Sequence, residues 1–198
     1  RKLIVTDSVF SMDGDLAPLT QLAALRREHD ALLVVDEAHA TLVFGERGGG
    51  LADHLGLSDQ IDLHVGTLSK AAGGHGGFVA CAESWRELIL NRGRAFIYST
   101  ALPAATVAGL LAAIEVATRD DTLRARLWRH VRRVSERLDL ELSSPIAPIV
   151  LGEERRALAA SEALREAGYH VTAIRPPTVP AGTARLRVTL SAAHTDED

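Results

Sequence analysis

The 198-residue chain has one cysteine, only two lysines, no excess of positive charge and no long apolar run, and each shortage removes a class of function. Cys81 stands alone, so an internal disulfide is excluded, and a single thiol fits a reducing cytoplasm. A net charge of −4 with scattered basic residues argues against nucleic acid as a partner, because that affinity rests on lysine and arginine neutralising phosphates. No apolar stretch approaches the ~20 residues that a membrane helix needs. No secretory signal, internal repeat or low-complexity segment is visible. The chain opens Arg1-Lys2-Leu3 straight into a strand, without methionine, and is therefore expected to be a fragment.

What is present is an ordinary globular composition, 46% hydrophobic and 24% charged, enough for one large or two small domains. A strand is expected at about 2–6, then a loop rich in turn formers at 7–15 and a helix at about 18–29 with Leu19, Leu22 and Leu25 on one side. Ala31 to Val35 is a continuous apolar run of strand length, the pattern of a strand buried on both faces of a parallel sheet. A weaker strand follows at 63–66, so strand, helix, strand, crossover and strand indicate the doubly wound α/β class, and 78–81 reads as another strand. A helix at 84–91 is expected to start with Ser84 as cap and Glu87 at the capping-box position.

Pro103 opens a long helix to about Thr118, and Asp120-Asp121 then caps a second one to about Leu138. In that helix Leu127, Trp128 and Val131 supply a buried stripe and most arginines the wet face. The remainder is a small α+β unit, with strands at 146–151, 170–174 and 185–190 around a helix at 156–167. The boundary is expected near residue 119, giving domains 1–119 and 120–198.

The chemistry concentrates at two strand ends. Thr67-Leu68-Ser69-Lys70 places an amine ahead of Gly73-Gly74-His75-Gly76-Gly77, and Val35-Asp36-Glu37-Ala38-His39 places an acid and an imidazole at the same edge of the sheet. A buried amine and a buried carboxylate at the carboxyl ends of neighbouring strands suit pyridoxal phosphate: the amine binds its aldehyde, and the carboxylate keeps its ring nitrogen protonated. The string Asp-Glu-Ala-His also occurs in helicases, but their Gly-x-x-x-x-Gly-Lys-Ser/Thr phosphate loop is missing upstream. Of the eight histidines only His39, and more weakly His75 in the glycine loop, invite a functional reading.

Five motifs carry a resemblance along essentially the whole chain: Val9-Phe10-Ser11-Met12-Asp13-Gly14-Asp15, Asp36-Glu37-Ala38-His39, Thr67-Leu68-Ser69-Lys70, Ile97-Tyr98-Ser99-Thr100, and the run from Ala173 to Arg187. With them the chain resembles the α-oxoamine synthase branch of the fold-type I pyridoxal phosphate enzymes. Ala40 departs from the glycine common after the histidine. The resemblance implies the large domain of that fold, mainly a parallel sheet, plus a small α+β carboxy-terminal domain. It also implies that the family's amino-terminal part and last helix lie outside this chain, which alone would be inactive.

Roles follow from the resemblance. Lys70 would carry the cofactor and then act as base on the substrate's α-proton, which requires its amine pKa to fall well below about 10.4. Asp36 would pair with the ring nitrogen and His39 with the ring oxygen. Ser11 would donate near the ring and Thr67 at the phosphate, with Ser99 and Thr100 reaching the phosphate of a neighbouring subunit's cofactor in a homodimer. Arg187 would clamp the amino acid carboxylate, although Arg185 shares its strand face and alternation alone does not separate the two. Thr178 would close over the substrate. No metal is expected.

The implied reaction is decarboxylative condensation of L-alanine with a pimeloyl thioester, carried on coenzyme A or a carrier protein, to 8-amino-7-oxononanoate for biotin, in the cytoplasm. The run from Ala173 to Arg187 is the narrower pointer to that product. The alternatives are a sister activity using glycine to form 2-amino-3-oxobutyrate or 5-aminolevulinate, and a truncated non-catalytic relative that serves in binding or dimerisation.

Overall fold

A computed structural model describes residues 2–197. The chain divides into two units, one comprising residues up to Val9 together with Ala17–Thr122, the other Phe10–Leu16 together with the residues from Leu123 on.

In the first unit β1 (Lys2–Asp7), α1 (Leu19–Glu28), β2 (Ala31–Asp36), the short α2 (Leu51–His54), β3 (Leu63–Thr67) and β4 (Gly77–Cys81) form a four-stranded sheet in the order β1-β2-β3-β4. β1, β2 and β3 are mutually parallel, while β4 returns antiparallel along β3. The apolar run of β2 fills the centre, with Ala31, Leu33 and Val35 buried. The tight turn between β3 and β4 reverses the chain without a crossover helix, and only an antiparallel neighbour can be reached that way.

The stripe of α1 differs from the expected leucines. Leu19 and Ala23 are its buried residues, and Leu25 is 41% exposed. Arg26 continues the stripe instead, gripping Asp62 through Nη2 at 2.6 Å and Nε at 3.0 Å, while Asp62 also accepts the Leu33 N–H at 2.8 Å. The Arg26 hydrogen bond, supported by that from Leu33, holds the Asp62 carboxyl below its ordinary value against the opposing cost of burial.

Three helices follow: α3 (Glu83–Arg92), α4 (Arg94–Ile97) and α5 (Ala104–Arg119). The capping box expected at Ser84 does not form. Ala82, extended at ψ 153°, is the cap residue, which puts Ser84 inside the first turn and leaves Glu83 and Glu87 to pair with Arg86, each at 2.9 Å. Pro103 stands just before α5 rather than as its first residue.

The second unit contains α6 (Thr122–Leu138) from Leu123 on, β5 (Ile146–Gly152), α7 (Glu154–Glu166), β6 (Thr172–Ile174) and β7 (Ala184–Thr189). Its sheet has the order β5-β7-β6 and is antiparallel throughout. Asp120 accepts the Thr122 N–H at 2.9 Å where α6 begins. Leu127 and Val131 line the buried face of α6 with Trp128 half-buried, but Arg124 and His130 are buried there too, so that face is less apolar than the leucine and valine spacing implied. Among the described residues no helix is long and apolar enough to cross a membrane, and no cluster of three or more metal-ligating side chains occurs.

Candidate active site

The carboxyl ends of β1, β2 and β3 collect the chemistry of the first unit. Asp36 is the last residue of β2, and its Oδ1 accepts the Ala38 N–H at 2.8 Å, a short local bond that turns the chain toward His39. Beyond β1, Ser8 extends the ladder by donating both its N–H (2.8 Å) and its hydroxyl (3.1 Å) to the Asp36 carbonyl. His39 is half-buried in the turn that follows.

Lys70 sits in the turn that closes β3 onto β4. Leu68 N–H donates to Gly76 O at 2.9 Å, Gly73 N–H to Lys70 O at 2.9 Å and Gly74 N–H to Leu68 O at 2.8 Å, so the turn is bonded to itself. The Thr67 hydroxyl lies 2.8 Å from Ser69 Oγ and 3.2 Å from Gly76 O, at the base of the same turn. The side chain of Lys70 is exposed, not buried as the strand-end position suggested, because the turn projects past the sheet edge. A Cβ on Gly74 would stand 2.3 Å from the Leu110 side chain, so the close approach is to α5.

Asp7 escaped the sequence reading. It ends β1 in register with Asp36. Burial raises its carboxyl above the ordinary value, Asp36 raises it further and Lys70 pulls it down, which places acid, acid and amine within electrostatic reach of one another. Only the parallel register of β1 on β2 could have revealed this. Ser99 and Thr100 are exposed beyond α4, and the Ser99 hydroxyl returns to the Ala95 carbonyl at 2.5 Å.

In the second unit the segment Phe10–Leu16 lies against β7, where Arg185 and Arg187 share a face. Arg187 Nε donates to the Ser11 carbonyl at 2.6 Å, and Arg185 Nη1 pairs with Asp13. The two arginines that alternation left equivalent are thereby separated. Arg185 is 5% exposed and committed to a carboxylate, whereas Arg187, half-buried, has no carboxylate partner among the described residues. Burial lowers the pKa of Arg187 from its ordinary value, so its charge gains from an incoming anion. Ser11 is half-buried, and Thr178 is exposed in the loop before β7, its N–H donating to Arg175 O at 3.1 Å while Val179 beside it is buried.

Comparison with known proteins gives this arrangement its context. Residues 1–198 match the family described as aminotransferase class I and II. An 8-amino-7-oxononanoate synthase of Arabidopsis thaliana is 52% identical over the whole chain, which covers 42% of that protein, and one of Anaeromyxobacter dehalogenans is 54% identical over 98% of the chain and 50% of its own length. The chain thus spans about half the length of the curated relatives it matches. Among solved structures, SPT with a PLP internal aldimine superposes with a TM-score of 0.95 at 35% identity, covering 99% of this chain and 51% of that one. The 8-amino-7-oxononanoate synthase of Francisella tularensis does so with a TM-score of 0.84 at 31% identity, over 98% of this chain and 58% of that one. The architecture is the fold type I that the sequence implied, and the chain belongs to the aminotransferase class I and II family.

Proposed function

We propose that this chain is the part of a pyridoxal phosphate-dependent acyltransferase that condenses L-alanine with a pimeloyl thioester, releasing carbon dioxide and the thiol, to give 8-amino-7-oxononanoate for biotin synthesis. The observation that carries the reading is the presentation of Lys70 and Asp36 at one sheet edge, where both act on Asp7. The donor set suits the cofactor: an amine with no carboxylate partner among the described residues for the aldehyde, a carboxylate for the ring nitrogen, and the Thr67 hydroxyl for the phosphate. Identity above 50% to synthases of this product supports the choice of alanine and the pimeloyl chain over glycine-using sisters.

When bound, the cofactor supplies an electron sink for the carbanion at the α-carbon of the amino acid. Lys70 would hold the cofactor's aldehyde and would serve as the base for the α-proton. Asp36 would pair with its ring nitrogen, and His39 would donate to its ring oxygen. Arg187 binds the alanine carboxylate until it is lost as carbon dioxide, and Thr178 covers the bound amino acid. Ser11 would donate beside the ring, while Ser99 and Thr100 would serve the phosphate of the neighbouring subunit in a cytoplasmic homodimer. Domains at 1–119 and 120–198 remain the functional division we propose, the first holding the cofactor.

The test uses the full-length parent protein. Borohydride should fix the cofactor on Lys70, and Lys70→Ala should fold yet lose all turnover. Label on Lys2 would overturn the assignment. In a panel of thioesters with alanine or glycine, pimeloyl with alanine should be preferred, and a preference for glycine with succinyl or acetyl thioester would move the protein to a sister activity.

A further inference from the structure

Glu37 is a buried acid that the reaction does not use. It stands between Asp36 and the turn of His39, is 3% exposed, and among the described residues its carboxylate has no cationic partner. A carboxylate so placed is costly unless strong donors satisfy it. Two backbone donors do: the Leu51 N–H reaches Oε2 at 3.0 Å and the Ala52 N–H reaches Oε1 at 2.9 Å, both at the start of α2. Both are charge-assisted bonds, of the stronger kind.

The main chain of the same residue is equally engaged. Its N–H donates to the Val65 carbonyl of β3 at 2.7 Å, and its carbonyl accepts from the Ala40 N–H at 2.9 Å, the Thr41 N–H at 2.8 Å and the Thr41 hydroxyl at 2.8 Å. Glu37 therefore joins three pieces: β3 two residues before Thr67, the turn that carries His39, and the start of α2. The sequence leaves space for this joint. Gly50 has φ of +108°, and a Cβ there would lie 2.8 Å from the Glu37 carboxyl carbon. Both the backbone and the carboxylate thus require glycine at that position.

We propose that Glu37 is a positioning residue, whose carboxylate locks the turn 37–41 and so fixes His39 and Asp36 in the attitude that receives the cofactor. The inference rests on the pyridoxal phosphate reading above. It assigns Glu37 no contact with cofactor or substrate.

The experiment compares the full-length parent protein with its Glu37→Gln and Gly50→Ala variants, each titrated with pyridoxal phosphate. Glutamine keeps the size but has one accepting atom in place of two, so the Leu51 or the Ala52 N–H loses its partner. The dissociation constant for pyridoxal phosphate should rise at least tenfold, and the pH at which the bound cofactor's visible band converts should move, since that pH reports the donor at the ring oxygen. A residue that only stabilised the fold would lower the melting midpoint and leave the pH of conversion in place, which would overturn the proposal. Should Glu37→Gln not fold, Gly50→Ala displaces the same carboxylate with every acid retained. An unchanged conversion pH in folded Gly50→Ala would equally overturn it. A wild-type protein that takes up no pyridoxal phosphate overturns the cofactor reading itself, whereas uptake by wild type and variants alike overturns the role of Glu37 alone.

Discussion

The two units place reactive groups in opposite ways. In the first, Asp7, Asp36 and Lys70 stand at or just past the ends of parallel strands, where the backbone ladder runs out and side chains project past the edge. In the second, Arg185 and Arg187 stand within β7, and the face of an antiparallel sheet aims them both at Phe10–Leu16. At these strand ends the Asp36 carboxylate accepts only the local Ala38 N–H, and Lys70 forms no ion pair among the described residues. The strand face commits its side chains, and one of its two arginines has been spent on Asp13 while the other keeps its charge available.

The largest effect that can break this contrast is at a strand end. Asp36→Asn should keep the local Ala38 hydrogen bond but remove the charge, so α-proton exchange of alanine in the loaded parent protein should fall by about two orders of magnitude or more, with a smaller change in alanine affinity. An unchanged exchange rate would make Asp36 structural.

Next comes the committed arginine. Arg185→Ala removes a buried guanidinium and its hydrogen bonds but leaves Asp13, 57% exposed, in water, so it should cost about 1–3 kcal/mol. Denaturant unfolding of the parent protein measures it, and a loss below about 1 kcal/mol would show that the pair adds no more than a surface bridge.

Arg187→Ala should instead spare the fold and raise the alanine KM about 10- to 100-fold, the range of one charge-assisted pair at about 1.5–3 kcal/mol, with the thioester KM little changed. Equal effects on both substrates would remove it from the amino acid site.

The smallest effects are in pH. Asp62→Asn leaves the Arg26 fork half-satisfied and should cost about 1–2 kcal/mol at pH 7. Because the Asp62 carboxyl lies below its ordinary value of 3.8 in the fold, its contribution is present above that value and is lost as pH falls through the folded pKa, so wild type and variant should converge in acid. Asp7 has the opposite sign. Its pKa is raised, so stability present below the ordinary value is lost as pH rises through the folded one, and Asp7→Asn should flatten that loss. Unfolding midpoints between pH 3 and 7 distinguish the two slopes, and parallel curves for wild type and both variants would contradict both assignments.

Sequence by itself determined the elements whose signal is local. The unbroken apolar run of β2, the glycine-marked turn after Lys70 and the acid-capped start of α6 could each be read without tertiary information, and Asp36 and Lys70 could be placed toward one edge because strand ends in a parallel sheet share it. Tertiary structure alone decided what depends on a partner far along the chain. Leu25 yields its place on α1 to Arg26 because Asp62 is available to grip it, and Ser84 loses its capping role because the helix begins at Glu83 after an extended Ala82. Asp7 comes beside Asp36 through strand register, Arg185 is committed to Asp13, and Glu37 becomes a joint only when α2 brings two N–H groups to its carboxylate. Periodicity specifies which way a side chain faces, but the energy of a buried charge depends on which donor or acceptor reaches it, and that is settled only when distant segments meet.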